Sequence, residues 1–243
     1  MMSWRWMLFA GALAVLVFAI ALMPLAFVHS LAGSPLGVQA SAYGRVWNGR
    51  LYTGALGPAR FERVDVALRP ASLLTGQAVF DWQLSDGRAR GAGVAFAGLN
   101  EAGLRDARLS GTFRVLGLPL PGVGVEDTLS LDIGELAVSE AGCLRAEGDI
   151  RTSALIGIAA RYDVNAPLLQ GSLSCEGGVL FADLSGESPD MDIRLTVSVT
   201  PSGLYRWSAE AVLIDASLTP VFSAAGFTQD GTVWRHRGEG QLA

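Results

Sequence analysis

Few side chains in this sequence are equipped for covalent or acid–base chemistry. All 18 basic residues are arginine. Without a lysine amine there is no Walker A phosphate cradle, no Schiff base and no Ser-x-x-Lys nucleophile. Histidine occurs twice, as His29 and His236, and cysteine twice, as Cys143 and Cys175. None of these four stands at metal-ligand spacing from another. No G-x-S-x-G elbow, H-E-x-x-H or C-x-x-C is present. Asp190 and Asp192 share one face if their segment is a strand. Paired carboxylates can exchange protons, but charge on the wet face of a sheet is the ordinary case. The stretch GVGVED, Gly122 to Asp127, has no helix signal after it and reads as a loop rather than a phosphate cradle. Trp47, Trp82, Trp207 and Trp234 read as core or edge aromatics rather than substrate platforms. No catalytic residue, metal or cofactor is expected.

What could position such residues is bounded by composition. The 243 residues are 50% apolar, enough for a sizeable core, and 30 of them are glycine, which suits many turns. A net charge of -5 gives no electrostatic support for nucleic-acid binding.

The N-terminus carries an uncharged run, Met7 to Val28, of 22 residues. As a helix it would span roughly 33 Å, close to the hydrocarbon thickness of a bilayer. Trp4 and Trp6 flank it as interfacial aromatics do, and Pro24 could kink its last turn. A cleaved signal peptide is the rival reading, with Arg5 as the positive region and Ser30 and Ala32 at a small-x-small site. The run is longer than a signal-peptide core, which favours an uncleaved anchor. The expected organisation is a cytoplasmic stub over 1–6, a transmembrane anchor over 7–28 and an exported β domain over 33–243, which divides near 117–125 if it is built of two similar halves. A long following domain translocates largely regardless of its charge, so the N-terminus is expected in the cytoplasm and the C-terminal domain outside it.

An oxidising compartment makes Cys143 and Cys175 a candidate disulfide. Parity argues against a simple pairing. Cys143 alternates with Arg145 and Glu147 on a polar face, whereas Cys175 shares the parity of Leu169 and Leu173. The thiols match only if a bulge or bend turns one strand over.

Residues 33–243 read as strand after strand. In DMDIRLTVSV, Met191, Ile193, Leu195, Val197 and Val199 point one way, and Asp190, Asp192, Arg194, Thr196 and Ser198 the other. LYRWSAEAVL follows across the turn TPSG, Thr200 to Gly203, so the two form a hairpin. Weaker alternation marks Val64–Val66–Leu68, Leu109–Phe113–Val115 and Leu129–Leu131–Ile133. The fold class expected is all-β: a long twisted antiparallel sheet, meander-like or groove-like, with short helical corners. One corner is RPASLLTGQ, where Pro70 opens a helical turn, Leu73 and Leu74 plug the end of the sheet, and Gly76 ends the turn. A second is LTPVFSAAGF, with Thr219 as cap, Val221 and Phe222 packing, and Gly226 as stop.

Several stretches, in order, resemble protein N of bacterial type II secretion systems. They are YGRVWNGRL after the anchor, VDVALRPASLLTGQAVFDWQL, LRDARLSGTF, LLQGSLSCEGG, VSVTPSGLYRWSAEA and VFSAAGFTQDGTVWRHRGEGQL. The order, together with the anchor, carries the likeness over nearly the whole chain. The middle departs from it, because DARLSGTFRVLGLPLPG is short and loop-like. The resemblance implies a bitopic inner-membrane protein whose periplasmic β domain contacts other secretion-system components, with no catalytic residues to carry over. Its partners would be those proteins and the inner-membrane lipid bilayer, with no nucleic acid. The family is also similar to groove-shaped β proteins of the AsmA-like kind, which makes a lipid ligand the alternative.

Overall fold

The computed structural model describes residues 22–26, 38–56, 59–113, 115–116, 127–160 and 164–241. They form fourteen strands in one open sheet, with nearly every strand beside its sequence neighbour. The first half holds β1 Val38–Arg45, β2 Asn48–Leu56, β3 Ala59–Leu68, β4 Ala78–Ser85, β5 Ala89–Ala97, β6 Ala102–Thr112 and β7 Thr128–Ser139. The second holds β8 Gly142–Thr152, β9 Leu169–Glu176, β10 Val179–Glu187, β11 Met191–Val199, β12 Leu204–Leu213, β13 Thr228–Asp230 and β14 Val233–Gln241. β14 lies beside β12, and β13 forms the far edge. Two short helices, α1 Ala154–Ala159 and α2 Thr219–Ala224, interrupt the meander.

Register organises the sheet. One cross-strand row reads Ala42, Leu51, Val64, Leu84, Gly91, Leu109, Leu131, Ile150, Gly171, Leu184, Leu195 and Ala209, apolar in every strand from β1 to β12. The row one residue away runs Arg50, Asp65, Gln83, Ala92, Arg108, Asp132, Asp149, Ser172, Asp183, Thr196, Ser208, polar at every position but one. Period two along each strand thus becomes two unlike faces across the whole sheet.

The larger core lies towards the C-terminal end. Leu169, Leu184, Met191, Ile193 and Ala211 are buried with Trp234, and Leu218 and Phe222 close over them. Phe222 sits at 4.8 Å from Phe227 and 6.1 Å from Trp234, between ring centroids. The second expected corner therefore packs through Phe222, although its cap differs. The Asp215 carboxylate accepts the Ser217 N–H at 2.8 Å and caps the 3-10 turn Ala216–Leu218, while no side chain caps α2. The first corner also departs from expectation. Pro70–Thr75 is a 3-10 turn with no buried residue, ended by Gly76 at φ 75°. Leu73 and Leu74 are exposed rather than plugged into the sheet, since the 3-10 turn buries none of its residues. β6 ends at Thr112, so Phe113 is a buried turn residue and not a strand position.

Four bulges keep the faces sorted. β2 carries an extra residue at Thr53 and β6 at Asp106, the two non-glycine positions with positive φ among the described residues. β7 carries one at Gly134 and β8 one at Leu144. The last bears on the cysteines. Ala137 pairs with Arg145 and Val138 with Cys143, so Leu144 is the surplus residue that turns Cys143 over to the buried side. Cys143 and Cys175 are joined, with Cα atoms 5.6 Å apart, and the Cys143 N–H donates to the Gly178 carbonyl at 2.9 Å.

Among the described residues no helix is long and apolar enough to cross a membrane. The expected anchor over 7–28 lies outside them except for 22–26, as do the signal-peptide site at Ser30 and Ala32 and the expected boundary near 117–125. On either side of that boundary β6 and β7 pair directly, from Ala102–Val138 to Thr112–Thr128.

Two outcomes follow for stability. An added Cβ at Gly171, within the apolar row, would overlap the Asp183 carbonyl of β10, whereas one at Gly134 meets nothing nearer than 3.6 Å. Gly171→Ala is expected to cost about 2–3 kcal/mol and Gly134→Ala to stay within about 0.5 kcal/mol, read from urea midpoints. Opening the disulfide with Cys143→Ser and Cys175→Ser frees a loop between residues 32 apart. The loss expected is about 3–4 kcal/mol in the chain-entropy account, and an unchanged midpoint would show that the bond contributes nothing.

Candidate functional site

The surfaces able to act are the two faces and the two edges of the sheet. The polar face carries a ladder of arginine–carboxylate pairs set by register. Asp65 takes Arg50 at 3.1 Å and Arg63 at 2.9 Å, Asp132 takes Arg108 at 3.2 Å, and Asp81 takes Arg69 at 2.6 Å. Hydrogen bonds from Arg63 and Arg69 hold the Asp65 and Asp81 carboxyls below the usual carboxylate range. The same bonds raise both arginines further. Arg145 bridges Glu101 at 3.0 Å and Glu135 at 3.2 Å, which raises it likewise. Backbone donation from Ser217 lowers Asp215. These pairs are solvated and each contributes little to stability. Their chemical effect is to neutralise one another.

On this face a shallow open cleft of about 780 Å³ lies between β4 and β8, lined by Arg90, Arg108, Ser110, Asp132 and Arg151 among others. Its charges are mixed in sign. A small second core sits nearer the strand ends, where Val79, Phe96 and Ala137 are buried with Arg105 stacked 4.1 Å over the Phe96 ring.

The residues that sequence singled out for chemistry are dispersed. Asp190 lies in the turn before β11, where its carboxylate accepts the backbone and side-chain N–H groups of Asn165 at 2.7 and 3.1 Å. Asp192 stands on β11 opposite Val212. His236 ends the apolar row opposite Ala209, packed 4.8 Å from Trp207 and 5.2 Å from Phe227. His29 and residues 122–126 of the Gly-rich stretch lie outside the described residues. Trp207 covers Gly238 across the strand, Trp82 covers Gly91, and Trp234 is buried in the core. The one chemistry-bearing pair brought together is Cys143–Cys175. Among the described residues no three His, Cys, Asp or Glu side chains gather as metal ligands.

The edges differ from each other. β14 is paired on its outer side only from Val233 to Arg235, by the three residues of β13. The remainder, HRGEGQ, alternates charge through Arg237 and Glu239, which guards an edge against unwanted pairing. β1 reads VQASAYGR, with no charge before Arg45. Among the described residues only Pro24 lies against its outer side, at Arg45. Sequence marked no residue of β1 for function. The available signal was a first strand that alternates weakly and lacks charge at what topology makes an edge.

No curated protein and no solved structure matches the chain. The family model for type II secretion system (T2SS), protein N, matches residues 37–235, from the start of the sheet to within β14. An open antiparallel sheet that begins just past an apolar N-terminal run is what that match covers. The chain belongs to the type II secretion system protein N family.

Proposed function

We propose that this protein is an inner-membrane-anchored accessory of the type II secretion apparatus, with the sheet in the periplasm and β1 as the strand that receives a partner. The part of the uncharged run that starts at Met7 and precedes residues 22–26, which pack on the sheet, supports the tether, and the joined cysteines suit an oxidising compartment. The family supports the apparatus. The observation that carries the docking mode is the contrast between edges: among the described residues only Pro24 bridges the outer side of β1, which carries no charge before Arg45, whereas β14 is paired by β13 or charged. An extended segment of another secretion component would add a fifteenth strand beside β1, drawing affinity from main-chain hydrogen bonds.

A second reading rests on a different observation. Leu51, Val64, Leu84, Leu109 and Leu131 of the apolar row are only half-buried, while α2 and its neighbouring turn cover the β9–β14 end. That stretch, half-buried among the described residues, would take acyl chains, so the alternative is a periplasmic groove that binds or bridges lipid. Native mass spectrometry of gently extracted protein is expected to retain phospholipid on this reading, and lipid-free protein counts against it.

For the docking reading, photocrosslinkers at Gln39, Ser41 and Tyr43 are expected to capture another secretion component in cells, and those at Arg237 and Glu239 to capture none. Charging the edge with Ser41→Lys and Tyr43→Lys is expected to weaken that contact by about tenfold, the effect of roughly 1.4 kcal/mol. Equal capture from both edges, with secretion untouched by the double variant, would sink the assignment.

A further inference from the structure

Strand direction alternates through the sheet, so the corners β1–β2, β3–β4, β5–β6 and β7–β8 all stand on one rim. Residues 22–26 meet the sheet at this rim. The Val46 N–H donates to the Met23 carbonyl at 3.2 Å, Pro24 bridges Arg45, and Leu25 is buried against Gly49. They belong to the C-terminal part of the uncharged run Met7 to Val28.

The same rim carries exposed apolar side chains. Leu99 in the β5–β6 corner is 97% exposed and Leu74 in the β3–β4 corner is 90% exposed. Leu22, Tyr43, Leu73 and Leu144 are exposed on it too. Neighbouring corners lie about 10 Å apart at ordinary strand spacing, so the apolar stretch extends for roughly 30 Å. It stops at β8. The next two corners, Glu176–Gly177–Gly178 and Thr200–Pro201–Ser202–Gly203, hold no large apolar residue.

Charge on the rim is partly spent, with Arg45 exposed in the β1–β2 corner. Arg69 is paired with Asp81, and Glu101 with Arg145. Glu140 in the β7–β8 corner is exposed and limits how deep that corner can sink. Exposed leucines and a tyrosine on a low-charge rim suit the boundary between headgroups and acyl chains.

We propose that this rim lies against the bilayer surface, with Leu74 and Leu99 inserted among the lipid headgroups. The sheet then stands on the membrane rather than swinging from a flexible stalk. This inference rests on the tether proposed above.

The test uses the full chain in vesicles of phosphatidylethanolamine and phosphatidylglycerol, with a nitroxide label on Leu74→Cys, Leu99→Cys or Ile214→Cys in turn. Ile214 is exposed at the opposite end of the sheet, beyond β12, and serves as the aqueous reference. Flotation comes first. Protein that fails to float with the vesicles removes the tether and this inference with it. In floating protein, labels at 74 and 99 are expected to be several-fold less accessible to an aqueous nickel chelate than the label at 214, and more accessible to oxygen. Equal nickel accessibility at all three sites overturns the rim contact and leaves the tether standing. Spin–spin broadening at 74 and 99 would overturn it as well, by placing a second copy of the chain on the rim.

Discussion

The structure depends on a register that keeps one apolar row unbroken from Ala42 in β1 to Ala209 in β12. A slip of one residue in any pair would carry that strand's leucines and valines to the charged face and its arginines and aspartates inward. Burial on one face therefore fixes every pairing at once, and the ion-pair ladder on the other face follows from it. Arg108 meets Asp132, and Arg50 meets Asp65, because the apolar row has already set their strands opposite each other. The pairs are too exposed to hold the sheet by themselves. They make the wrong register costly by leaving like charges or bare charges behind.

Such a row cannot run straight through so wide a sheet. Twist accumulates strand by strand, and open sheets beyond about ten strands curl, split or flatten. The bulges at Thr53, Asp106, Gly134 and Leu144 take up the mismatch locally. Each also re-aims the side chains past it. Beyond Asp106, Arg105 comes round to stack on Phe96, and beyond Leu144, Cys143 comes round to meet Cys175. The disulfide is thus a consequence of the bulge: without the surplus residue, Cys143 would share the exposed side of Arg145.

This explains which parts were legible in the sequence. The β11–β12 hairpin was plain, since Met191 to Val199 alternates strictly and a proline–glycine turn follows. The corner at Pro220 was legible because proline and glycine bracket one apolar turn whose Phe222 finds a core. The Pro70 corner has the same sequence form, yet its leucines stay outside. Whether a corner's apolar residues find a core depends on the packing beneath it: Phe222 meets Trp234 and Phe227, whereas the Pro70 turn buries no residue. Bulges leave no mark of their own at Leu144 or Thr53, so the sequence could pose the parity conflict of the two cysteines without resolving it. The separation of Asp190 from Asp192 was hidden for a related reason. A carboxylate in the turn just before a strand is outside the ladder and can bind a loop, and Asn165 lies 25 residues away in sequence.

The two halves of the sheet are unequal in a way that bears on function. The buried cluster around Trp234 and Phe222, both short helices and the disulfide all belong to β8–β14 or the chain beside them. Before β8 the sheet has a core cluster of three buried residues, a half-buried apolar row, an edge with no charge before Arg45 and exposed corner leucines. A protein that only needed to be stable would close that half as it closes the other. Local stability and exposed binding surface oppose each other, because burying the surface removes what a partner could use. Here the closed half holds the register for the open half, transmitted strand to strand through the same cross-strand pairs. The open half is also the one that begins beside residues 22–26. Whatever β1 and the rim engage, they engage it next to the point where the N-terminal run joins the sheet, and the guarded edge at β13 and β14 faces away from it along the full width of fourteen strands.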